Sequence, residues 1–185
     1  MTYSLSATDL ALSANGLSMS TTATTDGTLT ASAEYLAAGA SAGEEVDISS
    51  KITTSGSSVT IDVSDYTTVG GTVTLTLGIT EDETVTVTKT ATVYGISLSD
   101  LTVSEDTLSG TVTTNDTGFT ATALFDEDGL SLDEHDYEDI SSALTVEGNT
   151  ISLDLSGRAA DGVIKFVVAC QNKPAITDEK SYTVA

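Results

Sequence analysis

Apolar and polar residues alternate with a period of two through most of this chain. Val59, Ile61 and Val63 fall on one side of such an alternation, with Thr60, Asp62 and Ser64 on the other. Val73, Leu75, Leu77 and Ile79 repeat the pattern, as do Val85, Val87, Ala91 and Val93. Successive side chains of an extended strand point to opposite faces, so the alternation marks half-buried antiparallel strands. It predicts seven strands near 3–12, 17–24, 28–35, 46–54, 58–64, 71–79 and 84–93. Seven more are predicted near 94–103, 108–115, 118–125, 139–146, 150–155, 162–170 and 176–184. Turn-forming pairs separate them, among them Asn15-Gly16, Asp26-Gly27, Ser55-Gly56, Gly70-Gly71, Gly148-Asn149 and Asp161-Gly162. Helix signals are weak. The Ala-rich stretch 36–45 is broken by two glycines, and it reads as the same loop as 133–142.

The strand pattern is written twice. Tyr3-Ser4-Leu5-Ser6 returns as Tyr94-Gly95-Ile96-Ser97, and Asp47-Ile48-Ser49-Ser50 returns as Asp139-Ile140-Ser141-Ser142. Val59 to Ser64 returns as Ile151 to Ser156, and Lys89 to Val93 as Lys180 to Val184. The offset stays between 90 and 92 residues, which confines insertions to loops. What recurs is the apolar skeleton, with no reactive residue in it, as expected of an architectural module present in two copies. The boundaries predicted are 1–93 and 94–185, each of about 92 residues, the size of a small β-sandwich. Val93 and Tyr94 join the copies without a Pro-rich or Gly/Ser-rich linker, which predicts limited motion between them.

Composition narrows the core. Trp is absent and aromatics make up 5% of the chain, so the interior must be built from Val, Leu, Ile and Ala. Thr fills many remaining strand positions, where its β-branch favours extended backbone and its hydroxyl stays hydrated. The net charge is −22, with 11 acidic and 2 basic residues in 1–93 and 17 and 4 in 94–185. Such a field repels nucleic acid and anionic membranes, and neither is expected as a partner. One cysteine rules out an intrachain disulfide. Cys170 aligns with Ile79 on an alternating strand and reads as a small buried hydrophobe. The N-terminus lacks a basic stretch followed by an apolar one, and no apolar run reaches membrane-spanning length, so neither an export signal nor a membrane span is expected.

Candidate chemistry is sparse. His135 is the only histidine, which leaves no two-histidine metal site, and its place among like-charged carboxylates reads as a solvated loop. The densest acidic run holds Asp126, Asp128, Asp133 and Asp136. Calcium takes six to eight oxygen ligands from such loops, so these four carboxylates form the candidate metal site. The full EF-hand spacing is missing, and a plain solvated loop explains the same residues. No other cofactor is implied, since Gly70-Gly71 lacks the Lys-Ser/Thr of a phosphate loop. No catalytic residue is nominated, and the chain is not expected to be an enzyme. Tyr35 and Phe125 align and read as core; Tyr66 and Tyr137 read as the better exposed aromatics. Exposed sheet edges, blunted by a single proline, Pro174, are the remaining surface for a partner.

Seven short strands per copy, with a long third-to-fourth connection, predict an all-β chain of two tandem immunoglobulin-like antiparallel β-sandwiches. The strands Val59–Ser64 and 71–79, with their copies Ile151–Ser156 and 162–170, resemble the tandem immunoglobulin-like modules of tailed-phage virion proteins and bacterial surface proteins. The phage resemblance implies a capsid decoration or auxiliary component of the virion. It would dock on other virion subunits such as the major capsid protein, and a homo-oligomer is compatible with it. An initiator Met without an export signal accords with that expectation. The alternative implied is a fragment of a secreted adhesin or surface stalk at the extracellular surface.

Overall fold

Alternation in the sequence becomes alternation in burial. On the strand Gly71–Ile79, the side chains of Val73, Leu75 and Leu77 are fully buried and Ile79 nearly so, while Thr72, Thr74 and Thr76 face outward. Each fully buried Val, Leu or Ile contributes about 1.5–3 kcal/mol relative to exposure. The computed structural model describes residues 2–127 and 137–185. These form two units, Met1–Gly95 and Ile96–Ala185.

The first unit contains β1 (Leu5–Ala7), β2 (Ala11–Leu12), β3 (Ser18–Thr25), β4 (Leu29–Ala37), β5 (Val46–Asp47), β6 (Ile52–Ser55), β7 (Ser58–Asp62), β8 (Gly71–Ile79) and β9 (Asp82–Val93). One sheet runs β1-β3-β7-β6, with β2 also on β3; the other runs β5-β4-β8-β9. Every pairing is antiparallel. The sheets face each other across Met19, Ala23, Val59 and Ile61 from the first and Ala33, Tyr35, Val73, Leu75 and Leu77 from the second. This strand order, two sheets of ABED and C′CFG type, is the immunoglobulin-like sandwich.

The second unit repeats it with β10 (Ile96–Leu98), β11 (Thr102–Ser104), β12 (Thr107–Thr114), β13 (Phe119–Asp126), β14 (Glu138–Asp139), β15 (Thr145–Glu147), β16 (Thr150–Asp154), β17 (Val163–Cys170) and β18 (Thr177–Thr183). Its sheets run β10-β12-β16-β15, with β11 on β12, and β14-β13-β17-β18. Leu108, Val112, Ile151 and Leu153 are buried on one sheet, and Ala123, Ile164, Phe166, Val168 and Cys170 on the other.

Two predicted strands per copy prove to be pairs. The segment expected at 46–54 begins on β4 as β5, passes through a 3₁₀ turn at Ser49–Lys51, and continues as β6 on β7 of the opposite sheet. Its copy does the same through Ser141–Ala143. The segment expected at 3–12 breaks between β1 and β2, where Leu10 turns into the core at 6% exposure. Thr8 fills the break by accepting a bond from the Thr21 hydroxyl on its carbonyl at 2.7 Å.

Candidate functional site

The repeated Asp-Ile-Ser-Ser has a structural explanation. The amide of Ser49 donates to the Asp47 carboxylate at 2.9 Å, and that of Ser141 to Asp139 at 2.9 Å. The amide of Ala33 donates to the Ser49 hydroxyl and that of Ala123 to the Ser141 hydroxyl, both at 3.0 Å. Ile48 and Ile140 sit between these bonds and fill the core. The motif therefore carries the chain from one sheet to the other while keeping its backbone groups paired, which a bare turn would leave unsatisfied. Hydrogen bonds from Ser49 hold the Asp47 carboxyl below its usual range, and those from Ser141 do the same for Asp139.

Other recurring polar residues are also engaged internally. Lys89 pairs with Asp9 at 3.0 Å and Lys180 with Asp100 at 3.2 Å, tying each last strand to the bend in each first strand. Asp62 and Asp154 accept the amides of Ser64 and Ser156 at 3.0 and 2.8 Å, and both carboxyls are lowered by those bonds. At the opposite end of the first unit, Glu81 accepts from the amide of Thr28 at 2.8 Å and from its hydroxyl, which hold its pKa low. The second unit clamps the corresponding turns through Asp116, which accepts from the amide of Asn172 at 2.7 Å.

The predicted metal residues are divided by what the structure describes. Asp126 ends β13 and is buried at 4% exposure. Asp128, Asp133 and Asp136 lie outside the described residues, as does His135. Among the described residues, no group of three or more His, Cys, Asp or Glu side chains is placed to hold a metal ion. Cys170 is fully buried on β17 beside the Thr114 hydroxyl, 3.8 Å away, and burial pushes its thiol pKa up. A raised thiol pKa inside the core disfavours nucleophilic or metal-ligating use.

Tyr66 departs from expectation. Its ring is half-buried and stacks on Tyr35 with centroids 4.1 Å apart, so it belongs to the edge of the core and not to an exposed aromatic platform. Nothing in the strand alternation signals this, because Tyr66 sits in a 3₁₀ turn, Ser64–Tyr66, and meets Tyr35 only in the folded chain. Tyr35 in turn donates its hydroxyl to the Gly70 carbonyl. In the second unit, Phe125 and Arg158 fill the same two places.

What remains for contact is the outer surface of the sheets. Threonines on β8 and β9 stand in register as Thr72 with Thr92, Thr74 with Thr90, and Thr76 with Thr88. Gly78 interrupts that lattice and leaves a shallow depression of about 340 Å³ lined by Thr30, Ser32, Thr76, Thr86 and one carboxylate, Glu83. The other sheet of the unit is similar, with Ser20 beside Thr60 and Thr53 beside Thr60. Most acidic residues of the unit lie at turns and strand ends, with Glu34 alone at mid-strand on these faces. No helix among the described residues is long and apolar enough to cross a membrane.

No protein-family model matches the chain, and no curated protein matches it. Solved structures do. The two tandem V-type regions of VCBP3, a v-region-containing chitin binding protein, align over 98% of this chain and 98% of that one at 10% identity and a TM-score of 0.33. The N-terminal eight Ig domains of Down Syndrome Cell Adhesion Molecule align over 98% of this chain and 24% of that one, at 14% identity and a TM-score of 0.39. The tandem Ig repeats of Dlar align over 99% and 97%, at 11% identity and a TM-score of 0.31.

Proposed function

We propose that this chain is a non-enzymatic docking protein of a tailed-phage virion, a capsid decoration or auxiliary component that binds other virion subunits such as the major capsid protein. One observation carries the docking reading. The recurring polar residues are consumed in holding each sandwich together internally, while the sheet faces of the first unit present neutral hydroxyl surfaces suited to contact. A surface of this kind offers area and shape to a partner and little to a reacting molecule. The virion reading adds the resemblance of the duplicated strands to tandem modules of tailed-phage virion proteins.

Quantitative mass spectrometry of gradient-purified particles from the source of this chain tests the proposal. The expected result is the chain at many copies per particle, in fixed ratio to the major shell subunit. Its absence from the particles, with recovery from a longer cell-surface protein, would replace the proposal with the adhesin or stalk reading.

A further inference from the structure

The two units differ at one edge. β9 is the last strand of its sheet and pairs with β8 alone; β18 holds the equivalent place on β17. Native sheets protect such edges with charges, particularly charges on inward-pointing positions. β18 does so. Asp178 takes an inward position and accepts the amide of Leu98 at 2.8 Å, closing the edge against β10, and Glu179 follows it. At the equivalent positions β9 carries Val87 and Thr88.

From Thr84 to Val93 the strand has one charge, Lys89, no proline, and a β-branched residue at most positions. Val85, Val87 and Ala91 point inward yet stay half-exposed, unlike the buried Val73, Leu75 and Leu77 of β8. Lys89 is already matched by Asp9, and Glu81, Asp82 and Glu83 gather at the start of the strand. The local balance is acidic.

We infer that the outer edge of β9 receives an extended segment of a partner protein, added as a further strand and carrying basic side chains at its flanks. Main-chain hydrogen bonds to an exposed edge supply affinity in this mode, and side-chain complementarity supplies selection. The added strand would cover Val85, Val87 and Ala91, and the basic flank at the strand's start would meet Glu81, Asp82 and Glu83. A second copy of this chain is disfavoured as the occupant, because it brings the same net charge of −22. The inference rests on the docking reading above and gives its partner a chemistry.

The test uses the full chain and a synthetic peptide of alternating Thr and Val with a Lys pair at each end. Amide exchange is followed by NMR and affinity by titration. On binding, alternate amides between 84 and 92 should exchange at least about tenfold more slowly. Val87→Asp and Thr88→Glu install the residue types of the second unit; each should weaken binding about tenfold or more. Thr88 is outward-facing, so its variant tests the edge even where Val87→Asp disturbs the fold. A Glu-flanked peptide should bind about tenfold more weakly, the gap closing at high salt.

Equal binding of the two peptides, unchanged exchange on β9, or protection appearing on β18 instead would each overturn the inference. So would a dimer in sedimentation that Thr88→Glu dissociates, since the occupant would then be a second copy. Failure here, with the chain still present in particles, removes the edge and leaves the docking reading. Absence from particles, with peptide binding intact, does the reverse.

Discussion

Arg158 holds its guanidinium 5.1 Å from the centre of the Phe125 ring, in the place where the first unit stacks Tyr66 on Tyr35 at 4.1 Å. One structural position thus uses two kinds of ring contact, aromatic on aromatic and cation on π face. A cation over a ring at a partly exposed site contributes about 0.5–1 kcal/mol, and an aromatic pair about 0.5–1.5 kcal/mol beyond the area it covers. Arg158→Ala should therefore destabilise only the second unit, by about 1 kcal/mol, while Arg158→Tyr should recover most of the loss. Denaturant unfolding followed on resonances of each unit checks this, and an unchanged midpoint for Arg158→Ala would remove the contact from the account.

The serine at each sheet crossover makes a second comparison. Ser49→Ala and Ser141→Ala leave the amides of Ala33 and Ala123 without their side-chain acceptor. Loss of an acceptor from a partly buried amide costs about 1–3 kcal/mol. Each variant should lower the stability of its own unit by an amount in that range, with little effect on the other. Equal, negligible losses in both units would show that the repeated motif is not what holds the crossover.

Glycine is required where the ring of the fourth strand of each unit lies on the backbone. A Cβ at Gly162 would fall 2.7 Å from the Phe125 ring, and one at Gly71 would fall 2.8 Å from the Tyr35 ring and closer still to the Leu36 carbonyl. Gly162→Ala should cost about 1–3 kcal/mol by overpacking. Adding Phe125→Leu should restore part of that loss, because the two changes share one contact. Strict additivity of the pair in chemical denaturation would contradict the packing described.

Acid should act through the hydrogen-bonded carboxylates. Asp47, Asp62, Glu81, Asp139 and Asp154 all titrate lower in the folded chain, held down by the Ser49, Ser64, Thr28, Ser141 and Ser156 donors respectively. A group with a depressed folded pKa contributes its stability above the unfolded pKa, about 3.9–4.3 for these side chains, and loses it as pH falls through the folded value. The melting temperature should stay nearly level from neutral pH to about pH 5 and fall below about pH 4. A melting temperature that climbs on acidification below pH 4 would show that relief of the −22 charge outweighs these bonds.

Much of the fold was legible in the sequence because strand faces obey a period of two, as Val59, Ile61 and Val63 illustrate by being fully buried. The repeat exposed the twofold organisation for the same reason. The crossover at Ser49 was not legible, since Val46 to Thr54 reads as one extended run and only tertiary pairing reveals that β5 and β6 serve different sheets. Tyr66 was misread because a residue in a short turn shows no periodicity. Asp126 was legible as acidic but not as buried, since its 4% exposure depends on the strand end on which it sits.

Reconstitution tests the central claim most directly. Purified chain is added to particles that lack it, and binding is read by co-sedimentation together with electron cryomicroscopy. Saturable binding at a fixed number of symmetry-related sites is expected, with density fitting an immunoglobulin-like sandwich against the shell subunit. Particles that bind none of the chain at saturating concentration would contradict it.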